Sequence, residues 1–148
     1  MGKLLTDSKR LNVAIILALI ILIFSLLTSL IYAIFGTFMP YHIAFTGKTE
    51  SDVSAYDTEL MILIGIFIRL MGIYGIALFV ANLFILLFGF RKKEKWAWFY
   101  YLISGCIIFG SYLIITFQVL GLSIMYLTFI VMTVLWIIAL AISYKEFF

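Results

Sequence analysis

Residues 60–95 read LMILIGIFIRLMGIYGIALFVANLFILLFGFRKKEK. The first 31 of these residues carry one charge, Arg69, and the last five are all charged. As a helix, 31 residues would extend about 46 Å, beyond the roughly 30 Å of a bilayer's hydrocarbon core. A surface helix of a soluble protein would show a polar face over such a length, and none is present. The cluster Arg91-Lys92-Lys93-Glu94-Lys95 marks the return of the chain to water. Counting back about 20 residues from Arg91 reaches residue 71, so Arg69 is expected near the opposite boundary rather than at mid-bilayer. Residues 60–68 then project beyond that boundary or belong to a tilted helix. They are too apolar to face water, so the loop before them is expected to pack over them.

Three further runs share this character. Residues 11–36, LNVAIILALIILIFSLLTSLIYAIFG, are apolar for longer than the 7–15 residues of a signal-peptide core, and no small-x-small site follows. They are read as an uncleaved first span. Residues 96–118 and 121–143 supply the third and fourth, with a short uncharged turn at Gly121. The predicted fold is all-α: one membrane domain, residues 1–148, of four antiparallel helices at about 11–36, 60–90, 96–118 and 121–143. Composition agrees, because 66% of the 148 residues are hydrophobic and only 11% are charged. Soluble domains carry about 25% charged residues.

Lysine and arginine counts set the orientation. Lys3, Lys9 and Arg10 precede the first span, and Arg91, Lys92, Lys93 and Lys95 lie between the second and third. Lys48 is alone in the loop of residues 37–58, and Lys145 follows the fourth span. Both termini are therefore expected on the cytoplasmic side of a cell membrane, with the 37–58 loop outside. Trp96, Trp98, Tyr100 and Tyr101 predict an aromatic belt at the inner interface. The net charge of +3 fits this pattern and gives no reason to expect nucleic acid as a partner.

The loop reads TFMPYHIAFTGKTESDVSAYDT and holds the sole proline, Pro40, and the sole histidine, His42. Thr49-x-x-Asp52 resembles a capping box, so a helix is expected to start near Glu50 and to run on or break near Asp57.

Arg69 is the first candidate for function, because a charge inside an apolar run is expensive. Gly65, Gly72 and Gly75 lie on or near its side of the helix and make a face that a second helix can approach closely. Two readings stand. In one, Arg69 forms a structural ion pair with Asp57 or Glu59. In the other, it binds a ligand at the outer mouth together with His42, Tyr41, Tyr32, Ser29 and Ser25. Ser25, Thr28, Ser29 and Tyr32 share one face of the first span, and Ser104, Ser111 and Gln118 recur every seven residues on the third. Both stripes are expected to look into the bundle. Asn82 is expected to hydrogen-bond to a neighbouring helix.

A single histidine excludes two-histidine haem ligation, and a single cysteine, Cys106, excludes an internal disulfide. No HExxH, GxSxG or P-loop motif is present. No metal or cofactor is expected.

From Arg69 onward the chain reads Arg69-x-x-Gly72-x-x-Gly75, an apolar stretch, Arg91-Lys92-Lys93 and Trp96-Ala97-Trp98. This order, over residues 69–98, resembles the small four-helix prokaryotic membrane proteins of the DoxX-like kind. The resemblance implies a four-helix membrane fold and a role as an accessory chain beside membrane redox systems. The second span departs from the Arg-x-x-Asn-x-x-Glu pattern of the MAPEG enzymes, because Gly72 stands in the asparagine's place. The expected function is a non-enzymatic accessory or interaction subunit, in contact with lipid and with another membrane protein or a second copy of itself. The alternatives are a binder or transporter of a small amphipathic or anionic molecule near Arg69, and a lipid-active enzyme.

Overall fold

The computed structural model describes residues 6–148. Lys3 lies outside them. Six α-helices follow one another: α1 (Lys9–Phe35), α2 (Pro40–Thr46), α3 (Glu50–Tyr56), α4 (Thr58–Phe88), α5 (Lys95–Leu120) and α6 (Ile124–Phe147). A 3₁₀ turn, Phe90–Lys92, joins α4 to α5. No strand occurs among the described residues. α1, α4 with its 3₁₀ extension, α5 and α6 are each long and apolar enough to cross a membrane. The shortest has 24 residues, or about 36 Å of helix. The fold is all-α, and the chain is a multi-pass membrane protein.

Local chemistry sets the helix ends. The Thr49 hydroxyl accepts from the Asp52 N–H at 3.3 Å, and the Asp52 carboxylate accepts from the Thr49 N–H at 2.8 Å. This is the expected capping box, and α3 begins one residue after Thr49. Asp57 is extended (φ −157°, ψ 109°), so the helix breaks there. Its carboxylate accepts from the Leu60 N–H at 3.0 Å and starts α4. Ser123 caps α6 in the same way, through the Tyr126 N–H at 3.2 Å.

The chain divides into two compact units. The first comprises the residues up to Ile23 together with Val80–Phe148. Here α5 and α6 pair as a hairpin. The Trp136 ring lies over Gly105, and its Nε1–H donates to the Tyr101 carbonyl at 3.0 Å. Tyr112 stacks on Phe129 with ring centroids 4.6 Å apart, and Trp98 Nε1–H donates to the Leu140 carbonyl at 3.3 Å. The Tyr101 hydroxyl donates to the Asn82 backbone carbonyl at 2.7 Å and ties α4 to α5. Leu11, Ala14, Ile15, Leu86, Phe90, Ala97 and Phe147 are buried in this unit, with the Phe90 ring edge-on to Tyr101. At the end of this unit, Glu146 joins three segments. It accepts from the Ser8 hydroxyl at 2.7 Å and pairs with Lys93 at 2.7 Å.

The polar stripe of α5 departs from expectation. Tyr101 points inward, but Ser111 and Gln118 are exposed. A strict seven-residue repeat slips about 20° per heptad on a straight helix. The face turned to α6 instead follows Tyr101, Gly105, Phe109 and Tyr112, where the rings of Trp136 and Phe129 settle.

The second unit is Phe24–Phe79. Its central feature is a close crossing of α1 and α4. A Cβ at Gly72 would collide with the Ala33 backbone nitrogen and lie 2.6 Å from the Ser29 carbonyl oxygen. One at Gly75 would collide with the Ser29 side chain. Only glycine lets the two backbones approach this far, so the small-residue face of α4 meets its neighbour within the same chain. α1 stops at Gly36, whose φ of +61° favours glycine. Residues 60–68 are covered only in part: Ile68 is buried, and Met61 and Ile64 are half-buried. Ile62, Leu63, Ile66 and Phe67 are all exposed, Phe67 at 57%. They continue α4 as one unbroken helix whose apolar side chains suit lipid, so covering is not required.

Candidate functional site

Four of the sequence candidates, Arg69, Tyr32, Tyr41 and His42, lie in the second unit around the end of α1. Arg69 reaches this end from α4. Its aliphatic stem passes over Gly36, where an added Cβ would come within 2.6 Å of Cγ. Its Nη2 donates to the Phe35 carbonyl at 3.4 Å, a long contact with a carbonyl that the end of the helix leaves without an intrahelical donor. The guanidinium is otherwise exposed.

The ion pair of Arg69 with Asp57 or Glu59 is not formed. Lys93 and Glu146 do form an ion pair, but Arg69 has no carboxylate within reach among the described residues. The reason lies in the backbone. Asp57 is engaged by the Leu60 N–H, Asp52 by the Thr49 N–H, and Glu50 accepts from the Phe38 N–H. Asp57, one of the two expected partners, thus holds a helix start, as Asp52 does, and Glu50 holds the loop. Glu59 is exposed in the first turn of α4, where the helix dipole favours a carboxylate.

His42 sits in an aromatic cluster. Its ring centroid lies 4.3 Å from that of Tyr41, 5.8 Å from Phe38 and 6.3 Å from Tyr32. Its Nδ1 accepts from the Met39 N–H at 3.0 Å, which caps the start of α2 behind Pro40. An accepting Nδ1 places the ring proton on Nε2. Burial lowers the His42 pKa below its ordinary value, and the neutral ring is kept. The Tyr41 hydroxyl is buried and has no hydrogen-bond partner among the described residues.

The structure thus brings His42, Tyr41 and Tyr32 together. Ser29 is set apart, buried beneath Gly75, and Ser25 is exposed on α1. The sequence reading missed the Phe35 carbonyl and the Gly36 bend that seats Arg69. The one available signal was a glycine closing an apolar run, which is a common helix stop. No group of three metal-ligating side chains occurs among the described residues. No family model matches the chain, and neither curated proteins nor solved structures supply a relative.

Proposed function

We propose that this membrane protein is a non-enzymatic interaction subunit that docks against another membrane helix through α5. The observation that carries this reading is the outward face of α5. Ser111 and Gln118 are exposed and have no hydrogen-bond partner among the described residues. Cys106, Ile107 and Ile114 are exposed beside them, and a Cβ at Gly110 would meet nothing within 4 Å. Ser111 lies well inside the span, where lipid tails offer no partner to a hydroxyl, whereas a neighbouring helix does. The open glycine permits close approach. The likeness of residues 69–98 to DoxX-like proteins supports the same reading, as an accessory chain of a membrane assembly. The basic segments Lys9-Arg10, Arg91–Lys95 and Lys145 support a cytoplasmic placement of both termini in the cell membrane.

Native mass spectrometry of protein extracted gently from its own membrane tests the reading. A second copy or a companion chain at fixed stoichiometry, lost in a Gly110→Phe/Gln118→Leu variant, is expected. A bare monomer, unchanged by that variant, refutes it.

A second reading has its own support. Arg69 offers guanidinium donors with only one long carbonyl contact, so anion binding at this point is chemically open. His42, Tyr41 and Tyr32 would form its aromatic side, while Ser25 and Ser29 are set apart from it. A small anionic amphiphile retained by the wild type and lost in Arg69→Gln would favour it over the subunit reading.

A further inference from the structure

Arg10, Ala141, Ile142 and Lys145 line an open notch of about 200 Å³ between the first turn of α1 and the last turns of α6. Both helices are of membrane-spanning length, and the notch lies at the ends where their polar residues begin. That is headgroup depth. The two cations that line it come from opposite ends of the chain, and neither forms an ion pair among the described residues. Glu146, the acid beside Lys145, is already held by Lys93 and by the Ser8 hydroxyl, and Arg10 acts on its carboxyl only through a weaker electrostatic attraction. Asp7 is exposed and likewise forms no ion pair. Arg10 also stands in the first turn of α1, where the unpaired N–H groups of the helix disfavour a cation. With no ion pair of its own, and with Glu146 bonded to two other groups, Arg10 has capacity for an anion from outside the chain.

We propose that this notch binds the phosphate of an acidic phospholipid from the adjoining leaflet. The Arg10 guanidinium matches two phosphate oxygens at once, and the Lys145 ammonium adds a point charge. Ala141 and Ile142 form the apolar wall. The small Ala141 side chain leaves room for the glycerol and the start of an acyl chain to run down α6. Lys9, Arg91, Lys92 and Lys95 add to the positive field at this end but do not line the notch.

The test uses the full chain in nanodiscs of equal phosphatidylglycerol and phosphatidylcholine, read by native mass spectrometry. The wild type is expected to keep one phosphatidylglycerol. Arg10→Gln/Lys145→Gln should weaken that retention roughly 30-fold. Lys92→Gln/Lys95→Gln removes the same charge at the same end and should keep the lipid. Ala141→Phe fills the notch without changing charge and should also lose it. Inorganic phosphate in excess should not displace it. Equal losses in the two charge variants would reduce the effect to a diffuse surface potential and overturn the site. So would retention in Ala141→Phe, or equal retention of phosphatidylcholine. Displacement by inorganic phosphate would make it a free-anion site rather than a lipid site.

Discussion

Lys93 Nζ stands 2.7 Å from Glu146 Oε2 and joins the α4–α5 turn to the last turn of α6. The same carboxylate accepts from Ser8, just before α1, so one side chain ties three segments. The two partners are unequal. Lys93 is 45% exposed and Glu146 17%. Removing the lysine leaves Glu146 its serine partner, and exposed ion pairs contribute little. Lys93→Ala should therefore lower the Tm in detergent by about two degrees or less. Glu146→Ala releases both partners and should lower it further. Equal shifts would mean that Ser8 contributes nothing.

Gly72 and Gly110 predict opposite outcomes for one kind of substitution. Gly72→Val pushes a branched side chain into the backbone of Ala33 and Ser29, and neither can yield unless α1 and α4 separate. Overpacking of this kind costs about 1–3 kcal/mol or more. Gly110→Ala meets open space and gains helix propensity, so it should stabilise by up to about 1 kcal/mol. Denaturation in mixed micelles reads both, and a neutral Gly72→Val would refute the close crossing.

Asp57 caps α4 and leaves Arg69 unpaired, so the two residues should behave independently. Asp57→Ala should cost about 1 kcal/mol, as the loss of an N-cap does. Asp57→Asn should recover most of it, because the amide oxygen still accepts from the Leu60 N–H. The cost of Asp57→Ala should be the same in an Arg69→Ala background. A coupling above about 0.5 kcal/mol in that double-mutant cycle would restore the ion pair.

His42 predicts a pH dependence. Burial lowers its pKa from the ordinary 6.5, so the folded state binds its proton less readily than the unfolded state does. Stability from this group is complete above about 6.5 and is lost as pH falls from there through the lowered folded value. Protonation at Nδ1 would also break the bond from the Met39 N–H. His42→Asn keeps an acceptor for that N–H without titrating. Between pH 7.5 and 5 the wild type should lose Tm relative to His42→Asn. Parallel curves would remove His42 as the titrating group. Asp52, held below its ordinary value first by the Thr49 N–H, acts in a separate window below about pH 4.

The features legible in the sequence were those decided within a few residues. Thr49 and Asp52 lie three apart, close enough to satisfy each other's N–H groups, and the structure places the capping box there. Gly65, Gly72 and Gly75 declared a close-packing face because glycine lets a second backbone approach most closely. The fate of Arg69 was not legible. Its acids lay on the expected side, but every nearby backbone N–H competes for them, and the competition is settled only once the helix starts are placed. The Ser104–Ser111–Gln118 stripe misled because a spacing of seven nearly repeats on a helix, and the small residual rotation decides which end faces out.

The sequence by itself determined four membrane-length apolar helices, with ends displaced by a few residues: the fourth, expected over 121–143, runs Ile124–Phe147. Burying that much apolar surface without water-exposed polar groups admits few other solutions. Tertiary structure alone decided which polar groups found partners. It brought Arg10 and Lys145 to one notch and placed Phe35's carbonyl under Arg69. It also turned Gln118 outward. Each of these depends on how helices distant in the chain rotate about their axes. That rotation is set by the summed packing of glycines and aromatic rings, which no local stretch encodes.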